Sequence, residues 1–283
     1  MVRAQPEIDF VSDTQAPMMI EKIKLHANHN TLATAMIFSE MLKNKPSAVY
    51  MLGDVVSIGS NNHKWKNVDK FIDSCNQDKI AVHALLGNHD VMWCRKKGER
   101  NFAKRFPDFK DIGFVSITDS IAIVMLNSNF KKLSSAEIDQ QKKWYQTTLK
   151  NLDSNDAVKI IIVSCHHAPY SNSLIVGSSK AVQKYFVPDF IQTKKCKLFI
   201  TGHAHAFEHF AFSGKDFLVI GGGGGLHQPL DTSANKIPDL ASNYKPMFHY
   251  LSLQRQEDAL LIVSHFIKPD FSGFEKGDSF EIK

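Results

Sequence analysis

The chain has 283 residues, of which 43% are hydrophobic and 22% charged, and its formal net charge is +5. That length allows a large buried core, and the composition is that of an ordinary globular chain, which excludes a disordered or fibrous class. The mild positive charge comes from scattered groups such as Arg95-Lys96-Lys97, Lys131-Lys132 and Lys142-Lys143; these attract phosphate-bearing ligands in a general way, but they form no stripe of the kind that binds nucleic acid.

No apolar run reaches the ~18 residues that a membrane-spanning helix needs. Residues 1–5 lead directly into an apolar stretch without a hydrophobic region and cleavage site, so no signal peptide is expected. Cys75, Cys94, Cys165 and Cys196 are far apart and form no CxxC pair. They read as four reduced thiols, which fits a cytoplasmic setting.

In chain order, short apolar runs predict buried strands over residues 8–12, 48–52, 80–86, 158–164 and 198–201, each followed by turn or polar residues. A helix is expected over 31–43, with Leu32, Met36, Ile37, Met41 and Leu42 at helical spacing, and a weaker one over 66–76. A stronger helix is expected over 135–152, capped by Ser135, with Ile138, Trp144, Tyr145 and Leu149 on its inner face. Strand–helix alternation of this kind predicts a largely parallel sheet with helices on both sides. The last third reads differently, with antiparallel strands expected over 207–212, 217–220, 247–253 and 259–266. The expectation is two stacked sheets with helices outside, in a single α/β domain spanning 1–283. Residues 221–246, rich in Gly, Pro, Ser and Asn, read as a long functional or mobile loop.

The chemistry lies where these strands end. Asp13 and Gln15 follow the first. Asp54 follows the second, in Gly53-Asp54. Asn88, His89 and Asp90 follow the third, behind Gly87. His166 and His167 follow the fourth, and His203 and His205 the fifth, in Gly202-His203-Ala204-His205. An Asp after one strand is usually a turn residue, and a lone His is usually structural. Here five strand ends deliver metal-capable groups to one sheet edge, where open α/β sheets bind their ligands. His residues at i and i+2 of an extended segment point the same way. Gly53, Gly87 and Gly202 read as points where the backbone turns sharply.

The ordered set Asp-x-Gln, Gly-Asp, Gly-Asn-His-Asp, His-His-x-Pro and Gly-His-x-His resembles the calcineurin-like metallophosphoesterases, from about residue 7 to residue 225. The resemblance implies a four-layer α/β/β/α sandwich, two mixed sheets flanked by helices. It also implies two divalent or trivalent ions, manganese, iron or zinc. One would be held by Asp13, Gln15 and His205, the other by Asn88, His166 and His203, with Asp54 bridging them. His166 is chosen over His167 because the family ligand is the first His of His-His-x-Pro; His167 would be a nearby wall of the substrate site or a residue that supports the ligands from behind. Asn88 and His89 would contact the phosphate. His89 would help protonate the leaving oxygen, and Asp90 would orient and charge-stabilise His89. Two ions about 3.5–4 Å apart can clamp a phosphoryl group and turn a bound water into hydroxide near neutral pH.

Gln15 departs from the commonest pattern, which has His there. Its carbonyl oxygen is a harder donor, which raises manganese as a candidate, and the Asp-x-Gln form is similar to the manganese-dependent ADP-ribose/CDP-alcohol diphosphatases. The expected function is hydrolysis of a small phosphomonoester, phosphodiester or diphosphate, with nucleic acid and membrane not expected as partners. The alternative is a non-catalytic metal-binding scaffold that reuses the fold.

Overall fold

In the computed structural model, residues 6–23, 25–241 and 247–283 are described. Two six-stranded mixed sheets stack face to face. The first contains β1 (Ile8–Val11), β2 (Ala48–Met51), β3 (Ala81–Ala84), β10 (His249–Gln256), β11 (Ala259–Ile267) and β12 (Phe274–Ile282), in the order β12-β11-β10-β1-β2-β3. The second contains β4 (Phe114–Thr118), β5 (Ile121–Met125), β6 (Ile160–Cys165), β7 (Cys196–Thr201), β8 (Phe207–Phe212) and β9 (Lys215–Ile220), in the order β4-β5-β6-β7-β9-β8. The helices are α1 (Asn30–Asn44), α2 (Lys66–Gln77), α3 (Arg95–Ala103), α4 (Ser135–Ser154), α5 (Lys180–Tyr185) and α6 (Val187–Gln192). Among the described residues, no helix is long and apolar enough to cross a membrane.

Side-chain alternation explains the layers. In β5, Ile121, Ile123 and Met125 join residues of β1 and β2 in one core, while Ala122 and Val124 face a second core with Tyr145 and Leu149 of α4 and Phe190 of α6. A strand buried on both faces reads as a continuous apolar run. α1 and α2 add Ile37, Met41, Val68 and Phe71 to the first core. This is the expected four-layer sandwich.

Several elements differ from expectation. The β4–β5 hairpin and β12 were not expected as strands. β8 and β9 extend the second sheet beyond β7, and β10, β11 and β12 return to the first, so the last third makes no sheet of its own. α4 is capped by Ser134, not Ser135. Its side chain accepts from Glu137 N while the Glu137 carboxylate accepts from Ser134 N, a reciprocal capping box. The expected loop 221–246 is no loose excursion at its start, because residues 221–226 are buried. Residues 242–246 lie outside the described residues, as do residues 1–5.

β1 carries an anomaly. Asp9 sits between Ser252 of β10 and Val49 of β2. It is fully buried, and among the described residues neither carboxylate oxygen has a hydrogen-bond partner. Burial first, and then the charge of Glu7, push its pKa well above the ordinary carboxylate range. The folded state therefore holds this proton more tightly than the unfolded chain does. Its contribution is fully present below the unfolded value of about 3.9. It is lost at about 1.4 kcal/mol per pH unit as pH rises towards the folded value. Asp9→Asn should match the parent protein near pH 4 and be the more stable of the two at pH 7–8, as read from denaturant midpoints; a stability difference that does not change with pH would exclude a neutral Asp9.

Candidate functional site

The parallel pairing of β1 with β2 sets two loops side by side. Leu52 N donates to Val11 O at 2.8 Å, Asp13 N to Gly53 O at 3.1 Å, and Gln15 N to Asp54 O at 3.1 Å. Asp13, Asp54 and His203 have φ of 59°, 48° and 68°. This left-handed region is uncommon away from glycine, although Asp and His tolerate it better than most residues. Gly53 (φ +88°) makes the turn expected of it. Gly87 and Gly202 serve another purpose: a Cβ on Gly87 would lie 2.1 Å from Asp54 Oδ1, and one on Gly202 would lie 2.5 Å from Asp13 Oδ2. These two positions are small so that the carboxylates can be where they are.

Each carboxylate is anchored by one oxygen. Asp54 Oδ1 accepts from His89 N at 2.7 Å, and Asp13 Oδ2 accepts from His203 N at 2.9 Å. The other oxygens face imidazoles, with Asp54 Oδ2 3.2 Å from His166 Nε2 and Asp13 Oδ1 3.3 Å from His205 Nε2. On the far side of those rings, His166 Nδ1 bonds Leu52 O at 2.9 Å and His205 Nδ1 bonds Leu226 O at 2.6 Å. A backbone carbonyl can only accept, so each Nδ1 carries a proton, and in the neutral ring Nε2 is the nitrogen left facing inward as a ligand. Gln15 Nε2 lies 3.4 Å from His205 Nε2. The ligand atoms of Asp54, His166 and His203 all lie within 4.8 Å of one another.

The carboxylates and imidazoles of the cluster stabilise one another's charge. Burial opposes charge on His166, but Asp54 and Asp13 outweigh it and raise its pKa. Burial likewise opposes Asp54, and the charges of His166 and His89 outweigh it to hold the carboxyl far down. His203 is kept neutral by burial and by its neighbours His167 and His166. Asn88 Oδ1 and His166 Nε2 are buried without a hydrogen-bond partner among the described residues. Buried polar atoms of mixed nitrogen and oxygen character suit a transition ion. On that test the residues present could hold metal.

The site residues proposed from sequence converge, with two adjustments. Asp90 does not touch His89. Its carboxylate is buried and accepts from Gly87 N, Val55 N and Val56 N at 2.9, 3.3 and 3.2 Å, so it ties the Asp54 loop to the Asn88 loop. The carbonyl of Ser57 takes its place at His89 Nδ1, 3.2 Å away. His167 packs on His203, ring centroids 4.4 Å apart, and bonds Ser128 Oγ at 2.8 Å; it supports His203 from behind and is not part of the cavity wall. Burial and His166 lower its pKa to about 3.

A cavity of about 230 Å³ opens onto the cluster, lined by Asp54, Asn88, His89, His203 and His205 at its polar end. Sequence reasoning missed Glu21, whose Oε1 lies 3.6 Å from His89 Nε2, and no motif marks it. Ser128 was also missed, although 121–125 followed by Asn127-Ser128-Asn129 repeats the same strand-then-polar signal. Arg95, considered for phosphate, is committed to Glu99 and Glu137 at 2.5 and 2.6 Å.

The model of the calcineurin-like phosphoesterase family matches residues 7–207. No curated protein matches the sequence. Among solved structures, the purple acid phosphatase PPD1 of yellow lupin (Lupinus luteus) is 13% identical with a TM-score of 0.75, over 98% of this chain and 53% of that one. This chain thus spans about half the length of the lupin protein. GAP50 of Plasmodium, described as the anchor in the inner membrane complex, is 15% identical with a TM-score of 0.66, over 99% and 90% of the two chains. A dimetal phosphatase of Danio rerio is 12% identical with a TM-score of 0.59, over 98% of each. At such identities these likenesses speak for the fold alone. The family match covers most of the chain and falls on every strand end that forms the cluster except the glycine run, and this chain belongs to the calcineurin-like phosphoesterase family.

Proposed function

We propose that the chain is a metal-dependent hydrolase of a small phosphomonoester, phosphodiester or diphosphate. The observation that carries this reading is the convergence of Asp54, His166 and His203, two of which, Asp54 and His203, line the cavity together with His89. In this reading Asp13, Gln15 and His205 hold one ion, Asn88, His166 and His203 hold the other, and Asp54 serves both. Bound ions would supply Lewis acidity and a water ionised near neutral pH.

The chain's own residues do the rest. The carbonyls of Leu52 and Leu226 fix the tautomers of His166 and His205. Asp90 is a positioning residue, since it holds the backbone of both loops that carry Asp54 and Asn88. Ser57 O fixes His89 Nδ1 and leaves Nε2 towards the cavity. When both ring nitrogens carry protons, Nε2 can hand one to the departing oxygen. Gln15, with its neutral amide, makes the first position harder than a His would.

The purified protein should retain about two transition ions per chain after dialysis, measured by elemental analysis, and Mn²⁺ should support hydrolysis in a panel of monoesters, diesters and diphosphates. Ion binding without turnover of any of these would leave the scaffold reading. Asp54→Asn should lower the ion content to one or none and abolish turnover while the fold persists; normal turnover would sink the shared-carboxylate assignment. For His89→Ala, ion content should be kept while turnover of alkyl esters falls by roughly 10²–10⁴, and p-nitrophenyl esters, whose leaving group needs no proton, should suffer least. Gln15→His should shift competitive binding from Mn²⁺ towards Zn²⁺ by roughly tenfold or more, and an unchanged preference would argue that Gln15 touches no ion.

A further inference from the structure

We propose that this site takes amphiphilic phosphoesters, whose leaving group is an alcohol bearing an alkyl chain that runs out between two loops with apolar side chains; the proposal rests on the hydrolase reading above. Beyond its polar floor, the cavity is walled by Leu25, Ile175, Val176 and Leu226. The same two segments also carry exposed apolar side chains beside the exposed Lys22. Met19 is 87% exposed, Ile23 81% and Leu174 64%, with Ile20 and Ile175 more than half exposed. Among the described residues nine large hydrophobic side chains are exposed, and five of them lie on these two segments. Scattered exposed hydrophobics carry no meaning, but a concentration around a cavity mouth marks a ligand.

The second loop is not loose. Ser173 Oγ donates to Gln228 Oε1 at 2.6 Å and accepts from Ile175 N and Val176 N, Leu174 N donates to Pro229 O at 3.0 Å, and the buried Glu208 accepts from Ser171 Oγ and Asn172 N. Leu174 and Ile175 are therefore held out into solvent by a built scaffold.

The wall also argues against a polar leaving group. A sugar or nucleoside needs donors and acceptors around it. Among the described residues outside the polar floor, the polar side chains lining the cavity are Glu21 and Gln228. Gln228 already bonds Ser173 Oγ and His203 O, and Glu21 accepts from Met18 N at 2.5 Å while its charge disfavours a second phosphate. An occupant with its phosphate at Asn88 and His89 must carry apolar matter at the rim. The reaction is simple hydrolysis: the oxygen of water bonds to phosphorus, the bond from phosphorus to the chain-bearing oxygen breaks with its electron pair, and a proton ends on that oxygen to give the free alcohol.

The test uses the metal-loaded full chain and n-alkylphosphonates of two to ten carbons, which cannot be hydrolysed, with calorimetry as the readout. Affinity should rise roughly two- to fourfold per methylene until the rim is covered, since a fully buried methylene contributes ~0.8 kcal/mol. In Ile20→Ser and Ile175→Ser the ratio of octyl to ethyl affinity should fall roughly fivefold or more; Ile117→Ser, on the edge strand β4 and equally exposed, is the matched control and should keep the slope. Affinity that is flat with chain length overturns the amphiphile proposal and leaves the hydrolase reading standing. Affinity that rises while no phosphoester is ever turned over sinks the hydrolase reading and keeps the apolar subsite. Self-association that is abolished by Ile175→Ser, seen by sedimentation, would assign the apolar rim to a second copy of this chain and also overturn the proposal.

Discussion

Two carboxylates, Asp13 and Asp54, are buried at adjacent strand ends with almost no access to water. Taking ionised groups out of water is costly unless partners are supplied. The parallel pairing of β1 with β2 forces these two together, and much of the local structure is what their burial requires. One backbone N–H from His89 and one from His203 anchor them, imidazoles stand opposite, and glycines at 87 and 202 leave room. Even so, the buried Asn88 Oδ1 accepts nothing from the described residues. The arrangement fits a polar cluster that a cation completes, and a ligand that binds only the folded state stabilises it by mass action.

The glycine run shows how tightly the second sheet is drawn into this. Gly223 N and Gly225 N bond Ser12 O and Asp13 O at 2.9 and 2.8 Å, and Asn30 and Thr34 of α1 hold the carbonyls of the same run. A Cβ on Gly225 would lie 2.4 Å from the His205 ring. What composition suggests is a mobile loop is a backbone clasp between β1, α1 and the end of β9.

Much of this was legible before any coordinates. The strand-end motifs put the seven residues proposed as ligands at strand ends of the two sheets, because a strand followed by a sharp turn exposes its next side chains at a known edge. What stayed hidden has physical reasons. The sheet to which β8, β9 and β10 belong depends on pairings between distant segments, which local pattern does not encode. β12 is mostly exposed and reads as polar chain. The partners that orient His89, His166 and His205 are the carbonyls of Ser57, Leu52 and Leu226 in that order, and every residue has a carbonyl, so no residue type announces the role. Asp90 misled because its neighbour in sequence is not its neighbour in space: its carboxylate turns inward to three backbone N–H groups. Glu21 and the apolar mouth carry no motif, and only their shared cavity brings them together.

The candidate ligands also have a mechanical side. Asp13, Asp54 and Asn88 follow strands of the first sheet, and His166, His203 and His205 follow strands of the second. Ions held between them would act as rivets through both layers of the sandwich, placed at one edge, while the rest of the seam is closed by side chains such as Ile123 and Phe10 that slide more readily than they separate. Occupancy of the site and alignment of the two sheets then become a single property of the molecule, and any change in how the layers register, however distant, would be felt at the ions.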